Sequence, residues 1–166
     1  MKTVAVKSKK KLPAKKKGVV YAKSKSESLC VLELQGKRYH WSNNTERLQI
    51  IRKGIEVESI EEVGSRLNLP IKSVLHLVGI PQTTYNLKKK QHALLDSHNT
   101  ELLVMIIEVL DFGKRVFNLE EEKFQRWLKK PNRSLGGHTP GSFFDTLTGI
   151  LEVRHCLNRL EYGNFA

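Results

Sequence analysis

Cysteine is scarce in this chain of 166 residues. Cys30 and Cys156 are too few for a disulfide framework and lack the spacing of metal ligands, so a reduced, cytoplasmic setting is expected. Long apolar runs are missing as well. The longest, Leu102–Ile107, is far too short to span a bilayer. The N-terminus has lysines but neither the apolar stretch of a secretory signal nor the arginine-rich amphipathic pattern of a transit peptide. No membrane partner is therefore expected. A phosphate-cradling glycine loop is absent too, because Gly136-Gly137 is not followed by Gly-Lys-Ser/Thr.

Acidic residues are in short supply at one end only. The formal charge is +12, but residues 1–40 hold twelve Lys or Arg against two Glu and account for +10 of it. The remaining 126 residues are nearly neutral, at +2. Residues 1–28 carry ten Lys and little apolar surface, which does not offset the cost of ordering a backbone, so disorder is expected there. Such a tail either solubilises the chain or adds salt-dependent, sequence-independent affinity for DNA. Leu29–Trp41, with C-V-L-E-L and R-Y-H-W around Gly36, reads as a short hairpin.

Helical periodicity takes over from Thr45. Leu48, Ile51 and Ile55 recur at helical spacing, and Ile60, Val63 and Leu67 mark a second helix that stops before Pro70. A third carries Ile71, Val74, Leu75 and Val78, ends at Gly79, and gives way after Ile80-Pro81 to Q-T-T-Y-N-L-K-K-K-Q. Helix, glycine turn, helix is the shape of a helix-turn-helix, with Leu75, Val78, Ile80 and Leu87 as internal contacts. Gln82, Thr83, Thr84, Asn86 and Lys88 are side chains that reach base edges or phosphates, and Lys89 and Lys90 suit backbone phosphates. The same shape also serves protein binding, and both readings stay open on pattern alone.

Asn99 or Thr100 is the expected cap of a longer helix whose apolar face, Leu102 to Phe117, is wider than a small monomer needs and so points to a homodimer. Asn118-Leu119-Glu120-Glu121 has the form of a capping box opening a helix with Phe124, Trp127 and Leu128, which Pro131 ends. After the turn Leu135–His138, Thr139-Pro140 starts a short helix with Phe143, Phe144 and Leu147, punctuated by Gly149. A last helix from about Ile150 presents Val153, Leu157 and Leu160, and Glu161–Ala166 is left extended.

Enzymatic chemistry finds little support. Ser142, His138 and Asp145 lie close in sequence, whereas triad members normally come from distant segments. Cys156 and His155 are helical neighbours pointing apart, and Cys156 reads as a small buried hydrophobe. His76 and His92 are too far apart to read as a metal site, and Asp96, Glu101, Glu108 and Asp111 form no acid–base pair. A non-enzyme without cofactor or metal is expected.

The stretch R-W-L-K-K-P-N-R-S-L-G-G-H-T-P-G-S-F-F-D-T-L-T-G, continued by I-L-E-V-R-H-C-L-N-R-L-E-Y-G, resembles the C-terminal toxin-binding domain of the Xre/MbcA/ParS family of antitoxins. Trp127, Leu128, Pro131, Asn132, Leu135, Gly136, Gly137 and Pro140 fall on its first motif. Thr146, Gly149, Glu152, Val153, Leu157, Arg159 and Gly163 fall on its close. Residues 46–95 resemble the Xre-like half, and the two together cover about three quarters of the chain. Phe143 and Phe144 depart from the family's leucines and imply a larger local pocket, while Gly141 beside Pro140 should loosen that helix start.

The resemblance implies an all-α protein: an N-terminal Xre-like helix-turn-helix bundle followed by a small helical toxin-binding domain. Its divisions are a basic tail at 1–40, a helix-turn-helix domain at 41–97, and a dimerisation and toxin-binding domain at 98–166. It further implies a bacterial type II antitoxin that neutralises a RES-domain, NAD-depleting toxin, dimerises, and binds its operon's operator DNA. Toxin contacts are expected at Arg133, His138, Arg154, Arg159, Glu161, Tyr162, Asn164, Phe165 and Ala166. Arginines would suit anionic groups, and the aromatic close would supply anchors. A stand-alone helix-turn-helix repressor and an adaptor with a degenerate helix-turn-helix remain as alternatives.

Overall fold

A computed structural model describes residues 30–34, by backbone alone, and 38–163 in full, with Lys37 between them as the first residue of a strand. Residues 1–28, for which disorder is expected, and Asn164, Phe165 and Ala166 lie outside the described residues. A hairpin comes first: β1 (Cys30–Leu34) pairs antiparallel with β2 (Lys37–Trp41), Cys30 opposite Trp41 and Leu34 opposite Lys37. An isolated hairpin is marginal. This one delivers Trp41 into the core, where it is buried.

Everything after the hairpin is helical: α1 (Asn44–Lys53), α2 (Ser59–Leu67), α3 (Ile71–Leu77), α4 (Gln82–Lys90), α5 (Ser97–Val116), α6 (Glu121–Lys129) and α7 (Leu147–Glu161). Two 3-10 turns, Arg133–Leu135 and Pro140–Phe143, lie between α6 and α7. Local chemistry sets the boundaries. Asn43 caps α1 by accepting from the Glu46 amide at 2.9 Å, while the Glu46 carboxylate reaches back to the amide of Ser42 at 2.8 Å. That amide bond, more than any other contact, holds the Glu46 carboxyl below its ordinary pKa. Asn68 stops α2 in the left-handed conformation at φ 52°, with the Leu69 amide bonded to the Gly64 carbonyl at 3.0 Å.

The twenty-residue α5, about 30 Å long, is the axis of the molecule. Leu102, Leu103, Val104, Ile106, Ile107, Val109 and Leu110 are all buried, so the helix is apolar on nearly every side. Its neighbours are β1, α1, α2, α6 and α7. One continuous core runs from Trp41 through Ile60, Leu75 and Ile107 to Phe144 and Leu157. The breadth of the α5 face is thus satisfied within one chain and does not itself call for a second copy.

Several local expectations change. Leu48, at 45% exposure, faces outward on α1, and Ile55 is buried beyond the helix end. The cap of α5 is Asp96, which accepts from the Asn99 amide at 2.9 Å. Asn118 ends α5 rather than starting α6: at φ 52° it lets the Leu119 amide reach the Lys114 carbonyl at 2.8 Å. Gly149 does not terminate a helix. It sits in the first turn of α7, where a Cβ would lie 2.2 Å from the Phe143 carbonyl oxygen, and Thr146 caps that turn through the Gly149 amide at 3.1 Å. Close approach, not helix breaking, is what fixes glycine there. Gly141 has the same explanation, since a Cβ would meet the Leu128 carbonyl oxygen at 3.2 Å. Phe144 is fully buried and fills core volume instead of opening a pocket.

Candidate functional site

Two surfaces carry the residues singled out in the sequence. The first is α4 with the turn that precedes it. Gly79 takes φ 68°, a conformation that side chains disfavour, and the Ile80 amide returns to the Leu75 carbonyl at 3.0 Å. Pro81, extended at ψ 142°, then opens α4. Leu75, Val78 and Ile80 are buried as the sequence predicts, but Leu87 is 56% exposed and contributes no core. Tyr85 takes that place.

Tyr85 also ties α4 to α2. Its hydroxyl donates to Glu61 at 2.6 Å, and the Lys89 ammonium pairs with the same carboxylate. The bond from Lys89, then that from Tyr85, holds the Glu61 carboxyl below its ordinary pKa. Burial, reinforced by Glu61, pushes the Tyr85 phenol up to about 12. Gln82, Thr83, Thr84, Asn86, Lys89 and Lys90 are all exposed, Lys88 partly so. Gln82 donates to Asn86 at 3.0 Å, and Lys88 donates to the Leu94 carbonyl at 3.3 Å. The helix thus shows a short polar face, and one of its three lysines is already matched to a carboxylate.

The second surface is the segment from α6 to the end of α7. Phe117, Phe124 and Trp127 pack with ring centroids 5.6–6.2 Å apart. Gly113 lets Phe124 lie against α5, where a Cβ would come within 2.3 Å of the ring. Asn132 organises the following turn. Its side chain accepts from the Ser134 amide at 2.9 Å, its own amide donates to the His138 carbonyl at 3.0 Å, and its carbonyl accepts from Gly137 at 2.9 Å. Gly136 and Gly137 supply the positive φ values of 63° and 84°, and buried Leu135 pins the loop. Ser142 spends its hydroxyl on the Thr139 carbonyl at 2.7 Å, while the His138 ring faces Phe143 at 6.1 Å.

The residues expected to meet a partner do not form one cluster. Arg133 and His138 are exposed on the glycine turn. Arg154 approaches Glu108 of α5 at 3.6 Å. Arg159 donates to the sulfur of buried Cys156 at 3.0 Å, and burial keeps that thiol's pKa raised. Glu161 and Tyr162 are exposed where α7 ends. Sequence reasoning missed the junction around Glu108, which accepts from the Trp41 indole at 2.7 Å and pairs with Arg47 at 3.2 Å. Nothing in the local pattern links those positions, because they are some sixty residues apart. Among the described residues no group of three metal-ligating side chains converges, and no helix is long and apolar enough to cross a membrane.

Fold and surfaces together define a helix-turn-helix protein, all-helical after its first hairpin, whose C-terminal part is a turn-locked helical unit. Residues 46–108 match the antitoxin Xre-like helix-turn-helix domain, and residues 113–163 match the antitoxin Xre/MbcA/ParS C-terminal toxin-binding domain. The chain has the domain architecture of the Xre/MbcA/ParS antitoxins. It is 26% identical to antitoxin Xre of Yersinia enterocolitica over 125 residues, which are 75% of this chain and 84% of that protein. To antitoxin Xre of Photorhabdus laumondii it is 25% identical over 114 residues, 69% of this chain and 77% of the relative. A Prs ADP-ribosylating antitoxin of a Sphingobium species is 24% identical over 144 residues, 78% of this chain and 87% of the other.

Proposed function

We propose that the chain is the antitoxin of a bacterial type II pair, acting in the cytoplasm by binding a cognate RES-type, NAD-depleting toxin and occluding its active site. The observation that carries this reading is the match of residues 113–163 to a toxin-binding domain. The geometry supports it: Asn132, Gly136, Gly137 and Gly149 hold the glycine turn and α7 in fixed relation, and α7 ends in exposed Tyr162. Arg133 and His138 would contact the toxin from the turn. Arg154, Arg159, Glu161 and Tyr162 would do so from α7, with Asn164, Phe165 and Ala166 leading into the toxin's pocket.

Operator binding through α4 belongs to the same reading. Gln82, Thr83, Thr84 and Asn86 would read bases, and Lys88, Lys89 and Lys90 would meet phosphates. Homodimerisation is part of it as well, now supported by the family resemblance rather than by the α5 face.

The decisive experiment removes residues 161–166 and measures NAD consumption by the toxin at equimolar antitoxin. Toxin should still be captured on a column but regain activity. Complete inhibition by the shortened chain would refute occlusion by the C-terminal end.

A further inference from the structure

Where β2, the start of α1, α5 and α7 meet, there is a cavity of about 140 Å3. Its walls include Trp41, Arg47, Glu108, Phe112, Arg115 and Arg154. Three guanidinium groups face one carboxylate, which leaves two positive charges in excess. Glu108 is already occupied: it accepts from Trp41 at 2.7 Å and from Arg47 at 3.2 Å, and lies 3.6 Å from Arg154. It therefore aligns Arg47 of α1 with Arg154 of α7 instead of neutralising the whole pocket.

Two further features ask for an acceptor. The Arg47 Nε is buried and has no hydrogen-bond partner, whereas buried donors are ordinarily paired. Arg115 is held over the Phe112 ring at 5.7 Å and brings its charge to the same space. Ser42, the capping residue Asn43 and Asn44, the first residue of α1, close the cavity. No residue of α4 lines it.

We propose that this cavity binds one phosphate group, either the free ion or the end of a phosphate monoester. A phosphate dianion matches the charge excess of two, which a single carboxylate does not. Its oxygens can accept from several guanidinium edges together, the recognition for which arginine is suited. Bound phosphate would join Arg47, in the region matching the helix-turn-helix domain, to Arg154, in the region matching the toxin-binding domain. The site does not depend on the toxin reading.

The test is calorimetric titration of the full chain with inorganic phosphate at ionic strength matched by sodium chloride, alongside AMP and acetate. Saturable phosphate binding is expected, weakened about tenfold in Arg115→Gln and in Arg154→Gln. Both variants should retain wild-type circular dichroism in phosphate-free buffer. Having two variants guards against one failing to fold. Binding of AMP as well as phosphate would show that the mouth admits an ester; binding of phosphate alone would make the free ion the ligand. The proposal is overturned by no saturable heat, by unchanged affinity in both variants, or by acetate binding as tightly as phosphate. Displacement of phosphate by a DNA duplex would overturn it too, because the pocket would then grip nucleic acid.

Discussion

The indole N–H of Trp41 donates to Glu108 at 2.7 Å, so the last residue of the hairpin is bonded to the middle of α5. Both groups are largely withdrawn from solvent, and Glu108 retains only 12% of its side-chain exposure. Replacing Trp41 by Phe removes the donor and leaves that carboxylate short of a partner. The expected cost is about 1–2 kcal/mol, measured as a shift in the urea midpoint. A midpoint equal to wild type would mean that Arg47 and Arg154 satisfy Glu108 without the indole.

Gly113 and Gly149 make the same demand in two different ways. A Cβ at Gly113 would meet the Phe124 ring at 2.3 Å, and at Gly149 the Phe143 carbonyl oxygen at 2.2 Å. Each Gly→Ala change should cost about 1–3 kcal/mol through overpacking. The ring can be shortened and the backbone oxygen cannot. Phe124→Leu should therefore recover part of the loss in Gly113→Ala, while no side-chain change at position 143 should rescue Gly149→Ala. A double-mutant cycle reads the first coupling directly.

Tyr85 gives the fold a signature in alkali. Its phenol pKa is raised to about 12, above the ordinary value of 10. A group whose folded pKa is raised contributes stability that is fully present below the unfolded pKa and lost as pH rises through the folded one. Its share should thus be complete below pH 10 and gone by about pH 12, amounting to at most about 3 kcal/mol. The stability difference between wild type and Tyr85→Phe should narrow across that window. If it stays constant, the phenol titrates alike in the folded and unfolded chains.

On α4, Lys89 faces Glu61 while no ion pair is formed by Lys90 among the described residues. In the proposed operator complex, Lys90→Gln should reduce the salt slope of binding by about one and weaken all sequences alike. Lys89→Gln should act differently, lowering stability only slightly through the exposed Glu61 pair and changing the salt slope less. Equal slopes for both variants would show that Lys89 leaves Glu61 to reach a phosphate.

Much of this architecture was legible because it is written in local signals. Gly79 with Ile80-Pro81 announced the break between α3 and α4, and Leu135–His138 with its two glycines announced the turn after α6. Misreadings arose where one residue type serves two purposes. Asn118 carries the composition of a cap but is used as a helix stop, and Gly149 looks like punctuation but is a point of contact. Leu87 occupies an apolar position by spacing, yet α4 is short and meets the core through Tyr85 alone. The Glu108 junction left no local trace, since its partners come from β2, α1 and α7 and meet only in the folded chain.

The two matched regions stop and resume at residues 108 and 113, both inside α5. A helix that carries the core of both halves cannot act as a hinge, so the halves should melt in a single transition. Anyone exchanging the half that matches the toxin-binding domain for that of a relative would have to transplant a buried interface, not a tether. Substitutions are therefore tolerated most readily at the exposed rim of the glycine turn and at the exposed end of α7. The seam beneath them changes only by coordinated substitution on several helices.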